Sequence, residues 1–232
     1  MKIRAFAACV CAGIGAQAGL GASAQIEPGQ DHAVLIMEPK VEVVFITTGG
    51  AEPRADWTET ATANLMTELK AELERSGETI MTYEPAAEPD DKLTQLNLLS
   101  EVVFGTLVGN TNLNNGEITG FMLPHRKGQK ADYTLGPDAA LLAQGYEGAD
   151  YALFFNSYSQ IESGGSFLAK VAIGAVTGYV PATANIRGHG LMLIDLETGD
   201  AAWSSSAFGS DPRQPNEAKS VITNLFKKSP LR

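Results

Sequence analysis

IRGHGLMLIDLETGDAAWSSS, residues 186–206, sets the architecture of this chain. Leu191, Met192, Leu193 and Ile194 form an unbroken apolar run, which fits a strand buried on both faces. The run ends in Asp195-Leu-Glu-Thr-Gly199-Asp200. Asp and Gly there supply the side-chain-to-backbone bonds and the positive φ of a tight turn. Ala201 to Ser206 resumes an extended pattern, so the stretch predicts a strand over Ile186–Leu196, a hairpin turn and a returning strand. Asp195, Glu197 and Asp200 gather acidic groups at that turn. Their spacing misses the calcium-binding EF-hand pattern and lacks its closing Glu, which favours plain turn chemistry.

Working outward, Tyr151-Ala-Leu-Phe-Phe-Asn-Ser157 reads as a strand with a buried middle, and Pro137 opens a helical segment ahead of it. Downstream, Asn216 is placed to cap a last helix with Val221, Ile222, Leu225 and Phe226 inward. Lys227 and Lys228 sit at its negative end and Pro230 stops it. In the N-terminal half, Ala33–Met37 and Val41–Ile46 are short apolar runs that predict strands, with Thr79–Tyr83 a third. Trp57, Ala61, Leu65, Leu69 and Leu73 recur every four residues and draw an apolar stripe along a helix. Asp56 and Glu59 form a capping-box pattern at its start, and Gly77 supplies its stop. A second helix begins at Asp90 or Asp91, with Leu93, Leu96, Leu99, Val103 and Leu107 inward. It gives way to a polar loop over 109–136, with a hairpin around Asn114-Asn115-Gly116. The order β-β-α-β-α-loop-α-β-(apolar segment)-β-β-α predicts an α/β fold. A mixed β-sheet with an antiparallel hairpin carries helices packed on it, in a single domain over 33–228.

The chain opens MKIRAFAACVCAGIGAQAGLGASAQ. Lys2 and Arg4 make a basic start, an uncharged small-residue run follows, and Ala22-Ser23-Ala24 fits signal peptidase. Residues 1–24 are therefore expected to be a signal peptide cut between Ala24 and Gln25, followed by a flexible leader over 25–32. Cys9 and Cys11 both fall inside the removed segment, too early for a lipid-bearing cysteine. The exported chain is thus expected to be periplasmic, without disulfides and not a lipoprotein. The net charge moves from −10 to −12 on cleavage, because Lys2 and Arg4 are the only charges removed. Such an acidic chain disfavours nucleic acid and anionic lipid as partners, since both demand a basic surface.

The chemistry-bearing residues are sparse. His32, His125 and His189 have no second histidine at metal-ligand spacing, and neither a nucleophile elbow nor a phosphate loop occurs. No cofactor or metal is expected. His189 reads as an ordinary strand residue, His125-Arg126-Lys127 as a solvated loop tip, and Trp57 and Trp203 as core anchors.

FLAKVAIGAVTGYVPA, residues 167–182, is the most apolar run of the exported part. Sixteen helical residues span about 24 Å, short of the ~30 Å core of a bilayer. Lys170 inside the run and Pro181 at its end also speak against a membrane span. The expected helix, Ser166–Gly178, is either core or a partner-facing surface. Gly174-x-x-x-Gly178 permits close backbone approach in both cases. Ser163-Gly164-Gly165-Ser166 ahead of it reads as a hinge, which keeps the partner-facing alternative open.

GADYALFFNSYSQIESGG (148–165), followed by GHGLMLIDLETGDAAW (188–203), resembles the curli-secretion-lipoprotein-like superfamily of envelope proteins. That superfamily includes the lipoprotein activators of penicillin-binding proteins and the TolB-type N-terminal domain. The likeness is best over 134–206, through Ala149–Tyr151 and the Asp195–Gly199 turn, and weaker over 33–83. It implies an α/β fold and a binding or assembly role at the cell envelope, with no catalytic residues to carry over.

These readings converge on a non-enzymatic periplasmic accessory or assembly protein acting through protein–protein contacts, either with envelope proteins or by self-association. Phe167, Val171, Gly174 and Gly178 are the expected partner-binding residues, with the loop 109–133 second. Two alternatives stand beside it. One is a periplasmic hydrolase with scattered residues that include His189. The other is a module for a small molecule or peptidoglycan fragment, with the long loop as lid.

Overall fold

The computed structural model describes residues 26, 31–85, 90–112, 117–119, 124–130, 132–178 and 185–231. The expected signal peptide, its cut between Ala24 and Gln25, the Asn114-Asn115-Gly116 tip and Pro181 lie outside the described residues. The chain forms the expected α/β fold, a mixed seven-stranded sheet with helices packed on it.

The strands are β1 (Ala33–Ile36), β2 (Lys40–Thr47), β3 (Gly50–Pro53), β4 (Thr79–Thr82), β5 (Thr111–Asn112), β6 (Glu117–Ile118), β7 (Tyr151–Glu162), β8 (Ile186–Asp195) and β9 (Ala201–Phe208). The α-helices are α1 (Ala55–Ser76), α2 (Asp91–Asn110), α3 (Gly164–Thr177) and α4 (Pro215–Phe226). A 3₁₀ segment covers Pro137–Ala143.

β7 is the axis of the sheet. It outruns the strand expected over 151–157 because its polar second half, Asn156 to Glu162, pairs in parallel with β2, while Tyr151 to Leu153 pairs with β1. β1 and β2 therefore lie end to end along one side of β7. The register gains one residue at Met37-Glu38-Pro39, where Ile36 faces Leu153 and Lys40 faces Asn156. One inserted residue reverses the side-chain phase. Val34 and Ile36 therefore share a face with Val41, and Leu35 with the exposed Lys40. β8 runs antiparallel along the other side of β7, and β9 antiparallel to β8. β4 pairs in parallel with β1, and β3 antiparallel with β2.

Both sheet faces are covered. Leu65, Leu69 and Leu73 of α1, with Val221, Ile222, Leu225 and Phe226 of α4, pack on Val34, Ile36, Leu153, Phe155, Leu191 and Leu193. On the opposite face, Leu96, Val103, Phe104 and Leu107 of α2, with Ala139 and Leu142, pack on Leu35, Ala152, Phe154, Met192 and Ile194. Gly190 admits α2 to the sheet, since a Cβ there would sit 2.7 Å from the Phe104 ring. The 195–200 turn is clipped in place. Leu135 N–H and the Thr134 hydroxyl both donate to the Gly199 carbonyl, at 2.8 and 3.0 Å. Gly199 has φ 78° and its absent Cβ would lie 2.0 Å from the Gly136 oxygen, so only glycine fits there.

Several local expectations are corrected. Asp56 does not cap α1. The N-cap is Arg54, whose guanidinium instead binds the Asp56 carboxylate at 2.8 and 3.0 Å. Asn216 lies inside α4, whose N-cap is Gln214. Leu99 points outward and is exposed, because Ser100 takes the inner position and satisfies its hydroxyl on the Asn97 carbonyl at 2.7 Å. The leader is tethered at two described points. Ile26 is buried against the α1/α4 core, and the His32 N–H donates to Glu78 at 2.8 Å. β3 has no counterpart in the sequence reading.

Candidate functional site

α3 is built from the outside in. Ser163 is its N-cap, accepting the Ser166 N–H at 3.0 Å, so the stretch read as a hinge is a helix start. Gly178 adopts φ 72° and returns its N–H to the Gly174 carbonyl at 2.8 Å, which makes it the C-terminal stop.

The inner stripe recurs every four residues as Ser166, Lys170 and Gly174, and it is polar or bare. The Ser166 hydroxyl donates to Glu162 at 2.8 Å, and Lys170 Nζ pairs with the same oxygen at 2.6 Å. The Glu162 side chain, at the end of β7, is only 2% exposed, and that of Lys170 is 20% exposed. Gly174 is buried, and α3 as a whole touches β2.

The apolar side chains turn the other way. Phe167 is 48%, Leu168 66%, Val171 43% and Val176 87% exposed, with Ile173 also exposed. Burial of each such side chain is worth about 1.5–3 kcal/mol, and α3 forgoes most of it in the single chain. The expected binding residues therefore divide. Phe167 and Val171 are on the open face, Gly174 is packed beneath the helix, and Gly178 terminates it. The choice between core helix and open surface falls to the open surface. No helix among the described residues is long and apolar enough to cross a membrane.

His189 is 3% exposed and has both ring nitrogens engaged. Nε2 lies 2.9 Å from the Gly209 carbonyl, which can only accept, so Nε2 carries the proton. Nδ1 therefore accepts from the Ser157 hydroxyl at 2.8 Å. Burial pushes the ring's pKa down against the opposing pull of its backbone bonds, and the neutral form is favoured. A cleft of about 650 Å³ has Ser157 and His189 among its lining residues, with Phe104 and Val108 of α2, Tyr158 and Phe208. Strand alternation puts the His189 ring in phase with Leu191 and Leu193, on the α1/α4 face and away from Phe104. Both ring nitrogens are thus engaged, one by a hydroxyl and one by a backbone carbonyl.

At the acidic turn, Asp195 Oδ1 accepts the N–H groups of Glu197 and Thr198 at 2.9 and 2.8 Å. Among the described residues, no group of three or more His, Cys, Asp or Glu is placed to hold a metal ion. Trp203 packs on Phe226 at 6.0 Å. Trp57 lies instead between two guanidinium groups, Arg54 at 4.3 Å and Arg213 at 4.1 Å. Burial alone would raise the Asp211 carboxyl, but the bonds and charge of Arg213, with the charge of Arg187, hold it below its ordinary value.

The sequence reading missed the Glu162 anchor. Helical spacing could not have shown it, since Glu162 ends β7 and lies ahead of the α3 N-cap.

No protein-family model matches the chain, and neither does any curated protein. Among solved structures, it is similar to the PelC dodecamer from Paraburkholderia phytofirmans, at 14% identity and a TM-score of 0.31 over 91% of each chain. It is also similar to lipoprotein GNA1162 from Neisseria meningitidis, at 15% identity and a TM-score of 0.34 over 86% of this chain and 100% of that one. The LpoB C-terminal domain from Salmonella enterica is a third, at 15% identity and a TM-score of 0.29 over 79% of this chain and 87% of that one. Scores of this size carry no argument about function, which rests on the chain's own residues.

Proposed function

We propose that the chain is a non-enzymatic accessory or assembly protein of the bacterial cell envelope, exported to the periplasm and acting through protein contacts made by α3. One observation carries this reading: α3 is fastened by polar groups and presents its apolar side chains outward. A helix held only by hydrophobic burial would face the other way. Contiguous exposed apolar side chains on a soluble domain mark interaction surfaces. The acidic balance keeps such a surface soluble until it is covered.

The test is a photo-reactive residue at Val171, irradiated in cells, with adducts identified in the envelope fraction by mass spectrometry. A specific adduct to another envelope protein is expected. An unreacted probe on a correctly folded chain would sink the reading.

A further inference from the structure

The edges of the seven-stranded sheet are not treated alike. On one side, β3 has four residues that include Glu52 and Pro53, and β4 also has four. Shortness, charge and proline are the devices that keep foreign strands off a sheet edge. β9, on the other side, has eight residues, AAWSSSAF, with no charge and no proline. A bridge between Thr134 and Asp200, with the Ala201 N–H donating to the Tyr133 carbonyl at 2.9 Å, covers only its start. Beyond that point no strand among the described residues pairs its outer side.

The ladder shows which groups face out. The Gly209 N–H donates to the Arg187 carbonyl at 3.1 Å, and Gly188 stands opposite Phe208. Hydrogen-bonded pairs alternate along an antiparallel ladder. His189–Ala207, Leu191–Ser205 and Leu193–Trp203 are therefore the bonded pairs, and Ser204, Ser206 and Phe208 turn their N–H and C=O groups outward.

The strand fits a copy of itself. In an antiparallel pairing centred on Ser205, Trp203 meets the partner's Ala207 and Ser204 meets the partner's Ser206, short of the bulge that ends the regular ladder at Ala202. Large residues fall opposite small ones, and outward-facing groups fall opposite outward-facing groups. Two copies of a chain with net charge −10 repel, and this uncharged strand lets them meet with no like charges in register.

We propose that two copies of the chain pair antiparallel through β9 about Ser205, joining their sheets into one across a two-fold axis. The proposal does not rest on α3. Its test is sedimentation of the purified chain at micromolar concentrations, with circular dichroism to confirm the fold of each variant. The wild-type chain is expected to dimerise. Ser204→Lys with Ser206→Lys sets lysine against lysine twice and should weaken the dimer roughly tenfold or more. Ser204→Lys with Ser206→Glu sets lysine against glutamate and should restore it. Ser206→Pro removes only an outward N–H and should also weaken it. A wild-type monomer, a dimer that survives both the double-lysine and the proline variants, or a lysine–glutamate variant that stays monomeric would each overturn the proposal. The last outcome would leave the edge to a strand from a different protein.

Discussion

α3 and α4 are short helices of the same chain that bury opposite kinds of residue. α4 turns Ala218, Val221, Ile222, Leu225 and Phe226 inward and leaves its polar side to water. α3 buries Ser166 and Gly174, docks Lys170 on Glu162, and leaves Phe167, Leu168 and Val176 outside. Hydropathy therefore does not decide which face of a helix is buried. α4 is held by the loss of apolar surface to the core. α3 is held by a cap and a carboxylate whose own burial makes its partners hard to replace.

The comparison can be broken most forcefully from the α4 side. Phe226→Ala should cost about 3–5 kcal/mol in chemical denaturation. Val176→Ala, on the open face of α3, should move stability by no more than about 0.5 kcal/mol. Equal costs would mean that α3 is packed after all.

Glu162→Ala should cost about 1–3 kcal/mol, because it removes the buried acceptor that Lys170 and the Ser166 hydroxyl share. Its mark is regional. Amide exchange should quicken over 164–177 while the amides of Leu191 and Leu193 stay protected, and uniform loss of protection would argue against a local anchor.

The smallest effect sharpens the α4 side. The folded-state pKa of His189 is lowered, so the unfolded chain takes up a proton first as pH falls. The stability tied to the neutral ring is whole above the unfolded value of about 6.5 and is lost as pH falls below it toward the folded value. The slope should be at most about 1.4 kcal/mol per pH unit, and His189→Gln should flatten it. An unchanged slope in that variant would assign it to carboxylates.

Most of the fold was legible because it is written in apolar periodicity. The Leu65-Leu69-Leu73 stripe, the double-sided run Leu191–Ile194 and the Asp195–Gly199 turn each allow one structure. Legibility failed where polar groups do structural work. Ser100 displaced Leu99 from the inner line of α2, Arg54 took Asp56 away from its cap, and the second half of β7 is polar yet central. The candidate surface was half legible. The apolar run named α3, but the direction it faces depends on Glu162, which lies outside the run and reaches it only once β7 is formed.

The length of β7 also governs the order of events as the chain is made. Lys40 finds its partner in Asn156, about 116 residues later. At ordinary synthesis rates β2 waits about 6–23 s for that strand to appear. Until then β1 and β2 have only the short β4 and β3 to hold, and the central layer of the molecule cannot close. A chain built this way stays open until its second half arrives, then sets as a unit around the latecomer.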